Sequence, residues 1–408
     1  MSKARVLNYI LAILLLTNCG GTEKQNVPFD SFSFPVDLAL DSAHNNLYVV
    51  SSNFDLGYKN GNIKGISIGA LKPLLKSPCK DECRDYNSSV IVGEGVGIGS
   101  YAGISVFYND KIFVPLRRDN KIAIIETDAR GNLSCGKEKS VIGDCDEQHL
   151  IELEYKEPFS LVKRDGDSCI YTSFLKNGLV LCMDADNPFK TYTVFSDFSN
   201  GYEIGGGIKD LDISDEGVMV SAYAYMMGGR NLIPVSYDFK GKRNTVFLDF
   251  TDQIGTAYQE SVRFSHSMHR FFMTLRSPDL LLSVDYSIYK DGTFVIADYR
   301  LIPLYRYPSR IYIESPKNTN VELLFLAMED EDRIFVYDAA NLSLLSEIKE
   351  GLDGPYAMKL IYVDDTPYLF VGNFENSTIS VYRYDTDSYN FEYLLSIGKP
   401  RPKEKGEY

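Results

Sequence analysis

Tyr368-Leu369-Phe370-Val371-Gly372-Asn373, a polar turn, and then Ser377-Thr378-Ile379-Ser380-Val381-Tyr382 form one strand–turn–strand unit near the end of a 408-residue chain. Each half is a short run of β-branched and aromatic residues, the composition of a buried strand, and is too short for a helix of ordinary length. The turn-forming residues Asp364 to Pro367 stand just before the unit.

The same unit recurs upstream. Strand-like runs stand at Leu47 to Asn53, Lys111 to Arg117, Cys169 to Leu175, Gly217 to Tyr223, Arg270 to Arg276 and Leu323 to Glu329. Each is followed by a third strand: Ile63 to Ile68, Ile122 to Asp128, Leu179 to Asp184, Leu232 to Asp238, Leu280 to Asp285, Ile334 to Asp338 and, in the last unit, Ile379 to Asp385. Their first residues step by 59, 57, 53, 48, 54 and 45, a little above the ~40–50 residues of a four-stranded propeller blade. Two further strands complete each unit. An inner one often starts at proline (Pro35, Pro158, Pro308, Pro355), and an outer one follows the third, as at Ser88 to Val92, Leu150 to Tyr155, Leu344 to Ile348 and Tyr393 to Ile397. Seven units without helical periodicity between them predict an all-β chain, a seven-bladed β-propeller of four-stranded antiparallel blades. A pair of β-sandwiches also uses short strands at regular spacing. Seven matched registers with no linker dividing the chain favour the ring.

The Tyr368 to Tyr382 unit resembles the YVTN-type propeller repeat, and Leu47 to Asn53 with Gly61-Asn62-Ile63 is a weaker copy. The resemblance runs from about Pro35 to Ile397 and implies a fold. Proteins of this type include surface-layer and exported binding proteins, and related lactonase-like propellers include sugar-lactone hydrolases. The ring is expected to close by packing blade one on blade seven, with Val27 to Phe32 adding to that seam.

Outside the repeats, Met1 to Cys19 has a basic start at Lys3 and Arg5 and an apolar stretch from Ile10 to Leu16. That is a secretory layout, shorter than the ~20 apolar residues of a spanning helix. Leu16-Thr17-Asn18-Cys19 resembles the bacterial lipobox, with Asn18 where a smaller residue is usual. It implies a leader over residues 1–18, lipid on Cys19, a flexible tether over 19–30, a propeller over 31–400 and a polar tail over 401–408. An ordinary signal peptide with a coincidental cysteine is the alternative. The expected location is the cell envelope, held to the outer membrane through the lipid.

Forty-two basic residues against 56 acidic ones leave a net charge of −14, or −16 once Lys3 and Arg5 depart with the leader. An acidic surface argues against a nucleic-acid partner. With 44% hydrophobic and 24% charged residues, the chain is no disordered polymer. Six cysteines remain after Cys19, and sequence-local disulfides are expected: Cys79 with Cys83, Cys135 with Cys145, and Cys169 with Cys182 across a hairpin. Cys79-x3-Cys83 has possible zinc spacing, but no histidine joins it, so no metal or cofactor is expected.

No nucleophile-elbow or zinc-protease motif occurs. Of the four histidines, His44, His266 and His269 fall in turns between inner and second strands. Glu329 to Asp332 and Asp165 to Asp167 read as solvated acidic loops. A propeller's usual site is the rim where turns between second and third strands meet the channel. The candidate ligand residues there are Asn53, Tyr101, Arg117, Arg118, Arg276, Arg306 and Asn373, and the arginines point to a small anionic ligand. The functional expectation is a monomeric, non-catalytic binding or scaffold propeller taking a protein or small anion. A lactonase-like hydrolase with its site at the channel mouth is the alternative, with no catalytic residue assigned.

Overall fold

A computed structural model describes residues 24–76, 88–136, 145–190, 192–197, 207–223, 230–317 and 319–401. They form seven antiparallel sheets in chain order: six of four consecutive strands, and a second sheet whose outer edge is split in two. The sequence-derived strands reappear at nearly their expected limits. The second strands run Asn46–Ser51, Lys111–Leu116, Cys169–Phe174, Met219–Tyr223, Arg270–Arg276, Leu323–Met328 and Thr366–Asn373. The chain is a seven-bladed β-propeller.

Burial explains the continuous apolar strands. Alternate side chains point to opposite sheet faces, and both faces meet a neighbouring blade. Leu47 and Val49 join the cluster between blades one and seven, whereas Tyr48 and Val50 join the one between blades one and two. The other five seams each hold their own cluster.

The ring closes without exchanging a strand, because blade one is Pro35 to Ile98 and blade seven Pro355 to Ile397. The seam gains a parallel bridge between Ser31 and Lys399, and Phe32 is buried in its cluster. Upstream, Gln25 O accepts the Lys59 N–H at 2.9 Å. The buried Lys64 ammonium donates to the Ser31 carbonyl at 2.5 Å and to that of Pro28. Lys24 to Asp30 therefore lies against blade one.

Two features depart from the repeat. A nine-residue helix, Ile68–Lys76, enters between the third and outer strands of blade one, burying Ile68, Leu71 and Leu75 against the closing seam. It corrects the expectation of no helical segment between strands, and its i, i+3, i+7 apolar stripe is its only periodic signal. In blade two, Leu133–Ser134 and Leu150–Glu152 both pair with the third strand, and the insertion between them carries the Cys135–Cys145 disulfide. Cys169–Cys182 is also bonded, with its Cα atoms 5.2 Å apart. The two are diagonal, not opposite, since Cys169 faces Asp184 and Cys182 faces Tyr171. Cys19, Cys79 and Cys83 lie outside the described residues.

Antiparallel order gives the ring two distinct rims. The upper rim carries the turns between second and third strands and the blade-to-blade connections. The lower rim carries the turns between inner and second and between third and outer strands. In six blades the inner strand has a register shift near its start, directly after the first residue in five of them, as at Pro35/Asp37, Ile208/Asp210 and Pro308/Arg310, and one residue later in blade five, at Gln259/Ser261. A bulge of this kind re-aims the residues after it, and here it sets the side chains around the channel.

Candidate functional site: the central channel

The residues at the inner-strand register shifts include Asp37, Ser160, Asp210, Ser261 and Arg310, two places after the strand start in four blades and three in blade five, so the bulges bring a polar ring to mid-channel. Its centre is the fully buried carboxylate of Asp210. One oxygen accepts from Ser160 Oγ at 2.9 Å and the Leu211 N–H at 3.0 Å. The other accepts from Ser261 Oγ and Arg263 Nη1, each at 2.8 Å, and from Arg310 Nη1 at 3.4 Å. One side chain on blade four thus ties blades three, five and six.

Burial alone would raise the Asp210 pKa, but Arg263, Arg310 and the two serine hydroxyls overcome it and hold the carboxyl below the usual carboxylate range. Asp212, two residues further down the same strand, behaves oppositely. Burial pushes its carboxyl up despite Arg263 and the backbone N–H groups of Phe264 and Ile213. Arg263 is pulled toward both aspartates and is held charged, its pKa raised by them against the effect of burial.

Below this ring the channel widens into a cavity of about 900 Å³ that runs from Asp37, Arg310 and Tyr356 down to Lys163–Ser168 and Asp186 on the lower rim. Its wall carries the carboxylates of Asp37, Asp165, Asp167, Asp186, Asp212 and Glu314 and the cations Lys163, Arg263, Arg310 and Lys359, with His266 at the side. Some of these groups already have partners. Asp37 accepts from both the N–H and hydroxyl of Ser105 at 2.7 Å. Tyr312 donates to Glu314 and accepts the Leu360 N–H at 3.0 Å; burial drives its phenol pKa well up, so it is no base.

The upper end is built from ion pairs. Lys209 and Arg276 both meet Glu260, the latter at 3.5 Å, and Arg276 also meets Glu329 at 3.4 Å and lies 5.1 Å over the Tyr307 ring. Burial raises the Glu329 pKa in spite of Arg276 and Lys209. Tyr356 is likewise pushed up to about 12 by burial.

The sequence-nominated residues all sit on this upper rim, and none lines the cavity. Asn53 and Asn373 are fully buried turn residues. Asn53 exchanges hydrogen bonds with the Tyr58 backbone and donates to Ser100 Oγ. Asn373 donates to Gly351 O, Thr378 Oγ1 and Ser380 Oγ while accepting the Asp353 N–H. Arg117 lies between the rings of Tyr101 (5.7 Å) and Phe159 (5.2 Å) and 3.8 Å from Glu157. Arg118 and Arg306 are exposed. Sequence reading missed Asp210, Asp212, Arg263 and Arg310. For Asp210 and Arg310 the available signal was a charged residue two places after the inner-strand start; Asp212 and Arg263, four and five places in, carry no such mark.

Of the histidines, only His266 lines the cavity; His269 pairs with Glu216 at 3.3 Å, and His149 with Asp146 at 2.6 Å. No group of three or more metal-ligating side chains gathers among the described residues. Chemically the channel offers a neutralised, rigid ring and, beneath it, one aspartate whose raised pKa suits it to hold a proton.

No protein-family model and no curated sequence matches the chain. Solved structures match its fold. A protein from Lactobacillus plantarum aligns with a TM-score of 0.59 at 12% identity, covering 86% of this chain and 96% of that one. The Dos1 propeller aligns at 0.57 and 14%, covering 93% and 88%. A protein described as a putative 6-phosphogluconolactonase from Bacteroides uniformis aligns at 0.50 and 12%, covering 90% and 86%. Identities this low establish a common fold and leave function to the site.

Proposed function

We propose that this chain is an exported, lipid-anchored propeller of the cell envelope that works as a binding protein, with its ligand seated in the lower channel cavity. The observation that carries the reading is the pairing of a ligand-sized cavity of about 900 Å³ with a mid-channel ring whose charges are already matched. A saturated Asp210 has no lone pair to spend on a reaction, whereas a rigid floor beneath a polar chamber costs little to organise around a guest. The leader and Cys19 support the location. The upper-rim arginines nominated for an anion include Arg117 and Arg276, which carboxylates and aromatic rings already hold. The mixed wall below suits a small polar solute with both donors and acceptors.

A thermal-shift screen of sugars, sugar acids and amino acids against the purified propeller tests this. Solutes that raise Tm for the wild type should lose that effect in Lys359→Ala and Glu314→Gln, two cavity-wall changes outside the Asp210 ring. Stabilisation that persists in both variants would place the ligand elsewhere.

One observation favours the second reading, a lactonase-like hydrolase: Asp212, its pKa raised and Arg263 beside it, faces the same cavity. Such a group is suited to general acid–base work. Lactone hydrolysis by the wild type that disappears in Asp212→Asn would replace the binding reading with the enzymatic one.

A further inference from the structure

We propose that the upper rim is the membrane-facing surface, so that the bilayer lies against the turns between second and third strands and the channel cavity opens away from it. This rests on the lipid-anchor reading of Cys19 and adds to it an orientation and a contact surface. The occupant is the lipid bilayer itself.

The first argument is where the described chain starts and how much chain precedes it. Lys24 donates to the Leu56 carbonyl, and Gln25 accepts from Lys59; both partners belong to the turn between the second and third strands of blade one, on the upper rim. Pro28 and Ser31 are clasped by the buried Lys64, and Asp30 O accepts the Lys399 N–H at 2.6 Å, so the start is fixed to the ring and does not swing. Five peptide steps separate Cys19 from Lys24. Fully extended they reach about 18 Å. A six-residue strand such as Asn46–Ser51 is itself about 20 Å long. The tether is therefore too short to run down the outside of the ring and present the lower rim to the bilayer.

The second argument is independent of the tether. Among the described residues, the large exposed side chains Phe54 (51%), Tyr258 (53%), Tyr305 (61%) and Tyr307 (46%) stand at the upper rim, with Phe29 (59%) on the segment that leads into it, against Phe189 (58%) and Tyr289 (57%) at the lower rim. Phe54 is braced from below by Phe34, Phe374 and Tyr101, with ring centroids 6.1, 5.5 and 5.8 Å away, which keeps its outer edge presented to solvent. Aromatic rings with one wet and one apolar side settle at the headgroup level of a bilayer. Each ring alone binds weakly, but beside a lipid anchor a weak contact is enough to set orientation.

The chain contains no tryptophan, so a single introduced one reports without background. The mature lipidated protein is reconstituted into phosphatidylcholine–phosphatidylglycerol vesicles with or without brominated acyl chains. Phe54→Trp and Phe29→Trp report from the upper rim. Phe189→Trp, in the turn after the third strand of blade three and 58% exposed, reports from the lower rim. Bromolipid should cut upper-rim emission at least twofold and leave Phe189→Trp unchanged. Quenching of Phe189→Trp to the same degree, or of none of the three in protein that floats with the vesicles, overturns the orientation. Vesicle flotation separates the two failures. If wild type and Cys19→Ala float alike, the anchor reading falls and takes this one with it.

Discussion

The two ends of the channel use the same residue types to opposite effect. At mid-channel and above, acid and base are interleaved so closely that each charge has its partner: Asp210 with Arg263 and Arg310, Glu260 with Lys209 and Arg276. Below, Asp212 faces a chamber in which carboxylates outnumber permanent cations, and burial leaves it with a raised pKa. Two aspartates on one strand, separated by a single residue, therefore move in opposite directions from the ordinary carboxylate pKa. For these two equally buried aspartates, the pairing around each carboxylate decides whether it acts as a tie or as a proton holder. The largest test of this contrast is Asp210→Ala. It removes the carboxylate that Arg263 and Arg310 share at the meeting of four blades and should cost about 3–5 kcal/mol, measured as a fall in denaturant midpoint at unchanged slope. A loss under about 1 kcal/mol, the range of an ordinary substitution, would show that the ring is not held through this residue.

Covalent ties offer a second comparison, with the outer part of blade three instead of the channel. Cys169 and Cys182 close a 13-residue separation diagonally across a hairpin. Replacing both with serine should cost about 3 kcal/mol, the chain-entropy value for a loop near that length. Calorimetry of the double variant checks it, and the channel variant should add to it without coupling because the sites share no partner. On the upper rim, Asn373→Ala removes a fully buried amide and takes away the acceptor of the Asp353 N–H; it should cost about 2 kcal/mol. Arg306→Ala, exposed on the same rim, should stay within about 0.5 kcal/mol. Equal losses for the two would refute the division of this rim into turn staples and solvated arginines.

The blades were legible because the second strands are buried on both faces, which writes continuous apolar runs at a steady spacing. Tyr48 and its neighbours say "strand" wherever they stand. The channel was not legible for the opposite reason. Ser160, Asp210, Ser261 and Arg310 meet only because blades about 50 residues apart close into a ring, and because a one-residue bulge re-aims each inner strand. No local pattern encodes such a meeting. Asn53 and Asn373 were drawn into the candidate site by their position, since a turn at a channel mouth looks the same in sequence whether its amide binds a ligand or its own backbone. The helix at Ile68–Lys76 was hidden by its length: two turns, with Pro73 inside, give too few apolar repeats to stand out.

A pH dependence is the sharpest test of the two-aspartate contrast, because it predicts a sign. A carboxyl whose folded pKa is raised, as at Asp212, stabilises the fold in acid, and the stability it adds is lost as pH rises through that pKa. Asp210, with its pKa lowered, contributes stability above the unfolded value that disappears as pH falls through the folded one. Asp212→Asn keeps an oxygen for the Phe264 N–H, which Asp212 accepts at 2.8 Å, and removes the ionisation. Its stability relative to wild type should therefore rise between acid and pH 8. Chemical denaturation of both proteins across that range reads the difference directly. A curve of the opposite slope would mean that Arg263 neutralises Asp212 as fully as Asp210, and that the lower chamber is as electrostatically matched as the ring above it.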